Sequence, residues 1–234
     1  MEMKLKSIVL DSPSKASAIN TFRSMEADYI GYVDDDVIFE KNAIYNEIVL
    51  LNSSENIWGV FVDSFPLPCK NDASWSEKII YNSLTLRTRF GLLAKRYNLL
   101  IGRCVLIRKK KFPKIPEHII NEDQFLDYVL YPHVCKINNS IVYYEGVYSI
   151  RENFRRDLRI TAGRRQLKKE LPLSVTRRVD GGRSKSINYR KLFNLPFYNL
   201  LLFIVYKITY RLSKILVGFF LIANSDKILW KRTN

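Results

Sequence analysis

From Lys4 to about Tyr148, short apolar runs alternate with stretches that repeat their apolar positions at helical spacing. S-I-V-L at 7 to 10, Y-I-G-Y-V at 29 to 33, I-W-G-V-F-V at 57 to 62 and C-V-L-I at 104 to 107 read as strands. Ser14 to Arg23, Lys41 to Leu51, Ser74 to Thr88 and Asp123 to Tyr131 read as helices. Strands and helices alternating at this spacing predict an α/β domain over residues 1 to 150, Rossmann-like, with a mixed, mostly parallel sheet and flanking helices. Ligands of such sheets bind beyond the carboxyl ends of the strands.

The pattern then changes twice. Residues 151 to 192 are polar and basic and contain Gly163, Gly181 and Gly182, which predicts an Arg-bearing helix followed by a flexible loop. Residues 193 to 234 hold an apolar segment, Leu195 to Ala223, in which Lys207, Arg211 and Lys214 fall within about 60° of one another on a helical wheel. About 17 strongly apolar residues at roughly −0.3 to −0.6 kcal/mol each balance three cations at up to about +2.5 to +3.5 kcal/mol each. That balance predicts an interfacial helix or a re-entrant hairpin in contact with a membrane surface, against the alternative of a helix buried in the protein or at a dimer contact.

With 47% apolar residues in 234, the chain has enough material for a core and is no disordered protein. Its net charge of +15 points to a phosphate-rich partner: nucleic acid, an anionic membrane or a nucleotide-activated substrate. Arg151 to Lys191 contributes +10 of that charge, from 14 basic residues against four acidic ones. Cys69, Cys104 and Cys135 have neither zinc-site nor disulfide-framework spacing, which suits a reducing cytosolic setting. The first ten residues are too charged for a secretory signal.

The strand at 29 to 33 runs straight into Asp34, Asp35 and Asp36. While the backbone stays extended, Asp34 and Asp36 project the same way and can grip one divalent cation or its bridging phosphate. A solvated acidic turn that merely ends the strand is the plain alternative.

K-A-S-A-I-N at 15 to 20, Y-I-G-Y-V-D-D-D-V at 29 to 37, G-R-C-V-L-I-R at 102 to 108, E-D-Q-F-L at 122 to 126 and an Arg cluster ending G-R-R-Q at 163 to 166 occur in that order. Together this set, over residues 5 to 167, resembles family 2 glycosyltransferases, enzymes of the GT-A fold. The resemblance implies that Asp34 faces a nucleotide-sugar donor and that Asp36, with Asp34, holds Mg²⁺ or Mn²⁺ bridging the diphosphate. It implies that Asp123 is the general base for the acceptor hydroxyl, although Asn121, Glu122 and Asp123 are also good first-turn residues. Lys15, Asn20 and Arg103 would lie near the donor; capping and packing explain Asn20 almost as well. Arg159 and Arg164 would meet phosphate through their planar donor forks, the other arginines forming a solvated face. No Trp directly follows the Arg cluster and Gln166 comes after it, a departure from the Q-x-x-R-W of the family's processive synthases. Asp127 is expected at the surface, His118 and His133 as packing or surface residues, and Trp58 and Trp75 as core.

The resemblance also implies an enzyme at the cytoplasmic face of a membrane that transfers sugar to a glycan or lipid-linked acceptor with inversion. The chain enters the family pattern at its third strand, so a partner chain supplying the nucleotide-binding strands is a further expectation. Three other readings stay open: an inactive scaffold of the same fold, a two-metal phosphoryl-transfer enzyme using the Asp triplet with Glu122 and Asp123, and a nucleic-acid binder. For the last, no aromatic recognition motif accompanies the basic zone, and nucleic acid is not the expected partner.

Overall fold

The computed structural model describes residues 15–89, 103–146, 149–182 and 196–223, so the predicted strand at 7 to 10 lies outside the described residues. Helix α1 (Lys15–Thr21) leads into β1 (Tyr29–Val33), a turn through the Asp triplet, and β2 (Val37–Phe39). Then follow α2 (Ala43–Asn52), β3 (Gly59–Pro66), α3 (Trp75–Arg89), β4 (Cys104–Arg108), α4 (Glu122–Leu130) and β5 (Val134–Tyr144). Among the described residues three helices follow: α5 (Ile150–Glu170), α6 (Leu173–Gly182) and α7 (Phe197–Ala223). Helix α6 occupies the first part of the predicted flexible loop; the remainder, at 183 to 192, lies outside the described residues.

The sheet has the order β1-β4-β3-β5-β2. Strands β3 and β5 pair in parallel, whereas β1 with β4, β4 with β3 and β2 with β5 pair antiparallel. The α/β class and the mixed sheet stand; among the described strands the pairing is only partly parallel, not mostly so. Strands β1, β3 and β5 run the same way, but β4 returns between β1 and β3 and makes both of its pairings antiparallel. Apolar periodicity marks a strand without fixing its direction, and a short antiparallel strand satisfies the same burial.

Alternation along the strands divides the core into two layers. Ile30, Phe61, Val105, Ile107 and Val134 face one side, where they meet α1 (Ala16, Ile19), α4 (Phe125, Leu126) and Leu167 of α5. Val62, Cys104, Ile137 and Val142 face the other, beneath α2. Two polar side chains, Arg108 buried and Asn20 half-buried, tie these layers to the sheet. Arg108 donates to the carbonyls of Leu51, Ser54 and Ile57, satisfying the carboxyl end of α2. Asn20 donates to the Ile115 carbonyl at 2.7 Å and accepts from the Ile115 amide at 2.9 Å, clamping the segment before α4.

Helix α7 packs on α3 and α5, with Leu202 and Val205 against Ile79. Among the described residues no helix is long and apolar enough to cross a membrane.

Candidate active site

The carboxyl ends of β1, β3 and β5 and the amino ends of β4 and β2 meet at one end of the sheet, because Val33 pairs with Cys104, Pro66 with Tyr144, and Val37 with Tyr144. Just beyond lie the acidic turn, Arg103 and Tyr144. The turn is anchored at both sides, by the Asp34 amide donating to the Arg103 carbonyl at 3.1 Å and the Glu145 amide donating to the Asp36 carbonyl at 3.3 Å.

Within this turn the two predicted donor-site acids engage different cations. Asp34 accepts from Lys15 Nζ at 2.8 Å, across from the start of α1. Asp36 Oδ2 lies 3.8 Å from Arg103, whose guanidinium stacks 3.0 Å from the Tyr144 ring centroid. The backbone turns at Asp35 and Asp36 and does not stay extended, so each acid has its own neighbour. Burial raises the Asp36 carboxyl pKa, Arg103 opposes that shift, and Asp34 and Asp35 add to it. Its Oδ1 is buried with no hydrogen-bond partner. An orphaned anionic oxygen flanked by two further carboxylates is a poor place to leave negative charge and a good place for a hard cation. Among the described residues no group of three or more His, Cys, Asp or Glu gathers to hold a metal, so an ion here would rest on Asp36, Asp34 and oxygens of a substrate.

Tyr32 stands two residues before Asp34 on the inward face of β1, and its hydroxyl donates to Asp123 Oδ1 at 3.1 Å. Asp123, in the first turn of α4, is half-buried, and desolvation raises its pKa. Lys15 pulls the other way, Asp34 raises it further, and the Tyr32 hydrogen bond and Arg159 favour the charged form. Lys15 itself loses hydration, but Asp123, Asp34 and Glu122 outweigh that loss and raise its pKa. Lys15 is thus the cation between the acidic turn and the start of α4, with its amine 5.6 Å from the Tyr32 ring centroid.

Helix α5 brings arginines to the same end. Asn121 donates to the Arg159 carbonyl at 3.1 Å, and a Cβ at Gly163 would collide with the Asn121 side chain, so glycine is what lets α5 approach the start of α4. Arg159 acts on Asp123, and Arg156 is close enough to disfavour the charge of Arg103. Arg164 is exposed and lies about 140° around the helix from Arg159.

The structure therefore draws together Lys15, Asp34, Asp36, Arg103, Asp123 and Arg159. Asn20 is not among them, since both ends of its amide serve the Ile115 backbone. Tyr32, Tyr144 and Arg156 are additions. Tyr32 shares the parity of Asp34 on β1, a signal present in the sequence; Arg156 sits one turn before Arg159; nothing local marks Tyr144. Asp127 is buried, not at the surface, because α4 is covered on nearly all sides. His118 pairs with Glu170 at 2.8 Å, and His133 stacks on Trp58 at 3.7 Å, both as packing or surface groups. Trp58 is partly buried against the core, whereas Trp75 is 67% exposed.

No family model matches the chain, and no curated protein matches it either.

Proposed function

We propose that the chain is a glycosyltransferase, moving a sugar from a nucleotide-sugar donor to a hydroxyl of a glycan or lipid-linked acceptor. The observation that carries this reading is a desolvated carboxylate, Asp123, held by Tyr32 beside an acidic turn, with cations of α1, β4 and α5 around both. In the proposed step the acceptor hydroxyl gives its proton to Asp123 as its oxygen bonds the anomeric carbon. The bond from that carbon to the diphosphate oxygen breaks, and the nucleoside diphosphate departs with the electron pair. Attack in line with departure inverts the anomeric centre. Burial supports Asp123 as the base, because a raised pKa gives the carboxylate a greater hold on a proton at neutral pH. Arg103, Arg156 and Arg159 favour the departing charge electrostatically. Mg²⁺ or Mn²⁺ at Asp36 and Asp34 fits the orphaned oxygen and, when bound, neutralises diphosphate charge.

The test is release of nucleoside diphosphate from a panel of UDP- and GDP-sugars with Mn²⁺ and a crude glycan and lipid acceptor mixture. Turnover selective for one sugar is expected. Hydrolysis of bis-p-nitrophenyl phosphate with no sugar-nucleotide turnover would instead favour a two-metal phosphoryl-transfer enzyme.

A further inference from the structure

Helix α7 leaves a continuous apolar stripe in solvent. Phe197, Leu201, Ile204, Ile208, Leu212, Ile215 and Phe219 recur every three or four residues and are 46 to 81% exposed. They share one side of the helix, while Leu202 and Phe203, on another side, are buried in the protein. A row of large apolar side chains along about 33 Å of helix exceeds what a monomer normally exposes. Trp75, two-thirds exposed, lies one turn before Ile79 on the same face of α3, and Ile79 is the residue that packs on Leu202. An exposed Trp on the helix that packs against α7 is what a membrane–water interface collects.

Charge selects the occupant. Lys207 and the exposed Arg211 flank the stripe one turn apart, Lys207 with its amine 5.2 Å from the Phe203 ring centroid. Residues 197 to 223 contain no Asp or Glu, so a second copy pairing through this helix would meet cations with cations. Anionic phospholipid supplies both an apolar layer for the stripe and phosphates for the flank. No described helix is apolar enough to cross a bilayer, and α7 is fixed along one side by α3 and α5. We infer that α7 lies flat in the headgroup region of an anionic bilayer, its stripe immersed and Lys207 and Arg211 at the phosphate level. This stands independently of the sugar-transfer reading.

The test is flotation of the full chain with phosphatidylcholine vesicles, with and without phosphatidylglycerol. The wild-type chain is expected to float with the anionic vesicles. The double variant Ile208→Glu/Leu212→Glu should lose about 100-fold in partitioning, from about tenfold per immersed side chain. Lys207→Glu/Arg211→Glu should lose about tenfold or more on anionic vesicles and little on neutral ones. Ile208, Leu212 and Arg211 are exposed, so thermal melts should show both variants folded. Failure of the folded wild-type chain to float with any vesicle would overturn the inference. So would a stable lipid-free dimer, seen by light scattering, that Ile208→Glu/Leu212→Glu converts to monomer.

Discussion

Replacing Asp123 by Asn is expected to lower sugar transfer by about 10³-fold, equivalent to about 4 kcal/mol of barrier, while leaving nucleotide affinity within about threefold. The amide keeps the size of the carboxyl group and its capacity to accept from Tyr32, so the start of α4 should be undisturbed. What it lacks is a basic oxygen for the acceptor proton. Tyr32→Phe provides the contrast: it removes the 3.1 Å hydrogen bond but leaves the base, and a loss of about tenfold is expected. Steady-state kinetics beside nucleotide titration read both effects. Equal loss of turnover and of nucleotide binding in Asp123→Asn would show that this residue serves the donor pocket and not the acceptor proton.

The second large effect lies in the opposite layer of the fold. Glu47 of α2 is 1% exposed beneath the sheet, and its carboxyl faces the Cys104 thiol with oxygen–sulfur distances of 3.6 and 3.7 Å. Burial pushes its pKa up to about 7, and the thiol contact offsets only part of that shift. An unfolded glutamate ionises near 4.5, so the folded chain retains a proton that the unfolded chain has released. The group's full contribution is present below pH 4.5, and it is lost as pH rises through 7, by about 3 kcal/mol in total. The stabilising effect of Glu47→Gln in urea melts should therefore be about 2.5 kcal/mol larger at pH 8 than at pH 5. Taking the difference between pH values cancels whatever the substitution does to packing. An effect of equal size at both pH values would mean that Glu47 is already ionised in the folded chain at pH 5.

Much of the fold is legible in the sequence where one periodicity dominates. The predicted helices at 14 to 23, 41 to 51, 74 to 88 and 123 to 131 lie within two residues of α1, α2, α3 and α4, reckoning the short 3-10 turn at Phe22–Ser24 with α1. Strand β4 matches its apolar run. Strand β5 is less legible because Lys136, Asn138, Asn139 and Ser140 break its apolar alternation, and its register on β3 jumps between Val62 and Asp63. The direction of β4 carries no local signature at all.

The candidate site divides in the same way. Lys15, Asp34, Asp36 and Asp123 could be singled out because acidic and basic groups at strand and helix ends have few structural duties. Asn20 shows the limit of that reasoning, since a polar residue at a helix end can have a wholly structural partner 95 positions away. Tyr144 illustrates the converse. Its place over Arg103 depends on the pairing of β5 with β2 and β3, which no short stretch of sequence contains.

The central claim is that the acidic turn and the cations around it form a donor-diphosphate site. Isothermal titration of the chain with UDP and GDP, with and without Mn²⁺, beside Asp36→Ala, tests it most directly. Metal-dependent binding of one nucleotide, lost in Asp36→Ala, is the result this account predicts. Absence of binding by a folded chain at every metal concentration, or binding that survives Asp36→Ala unchanged, would contradict it.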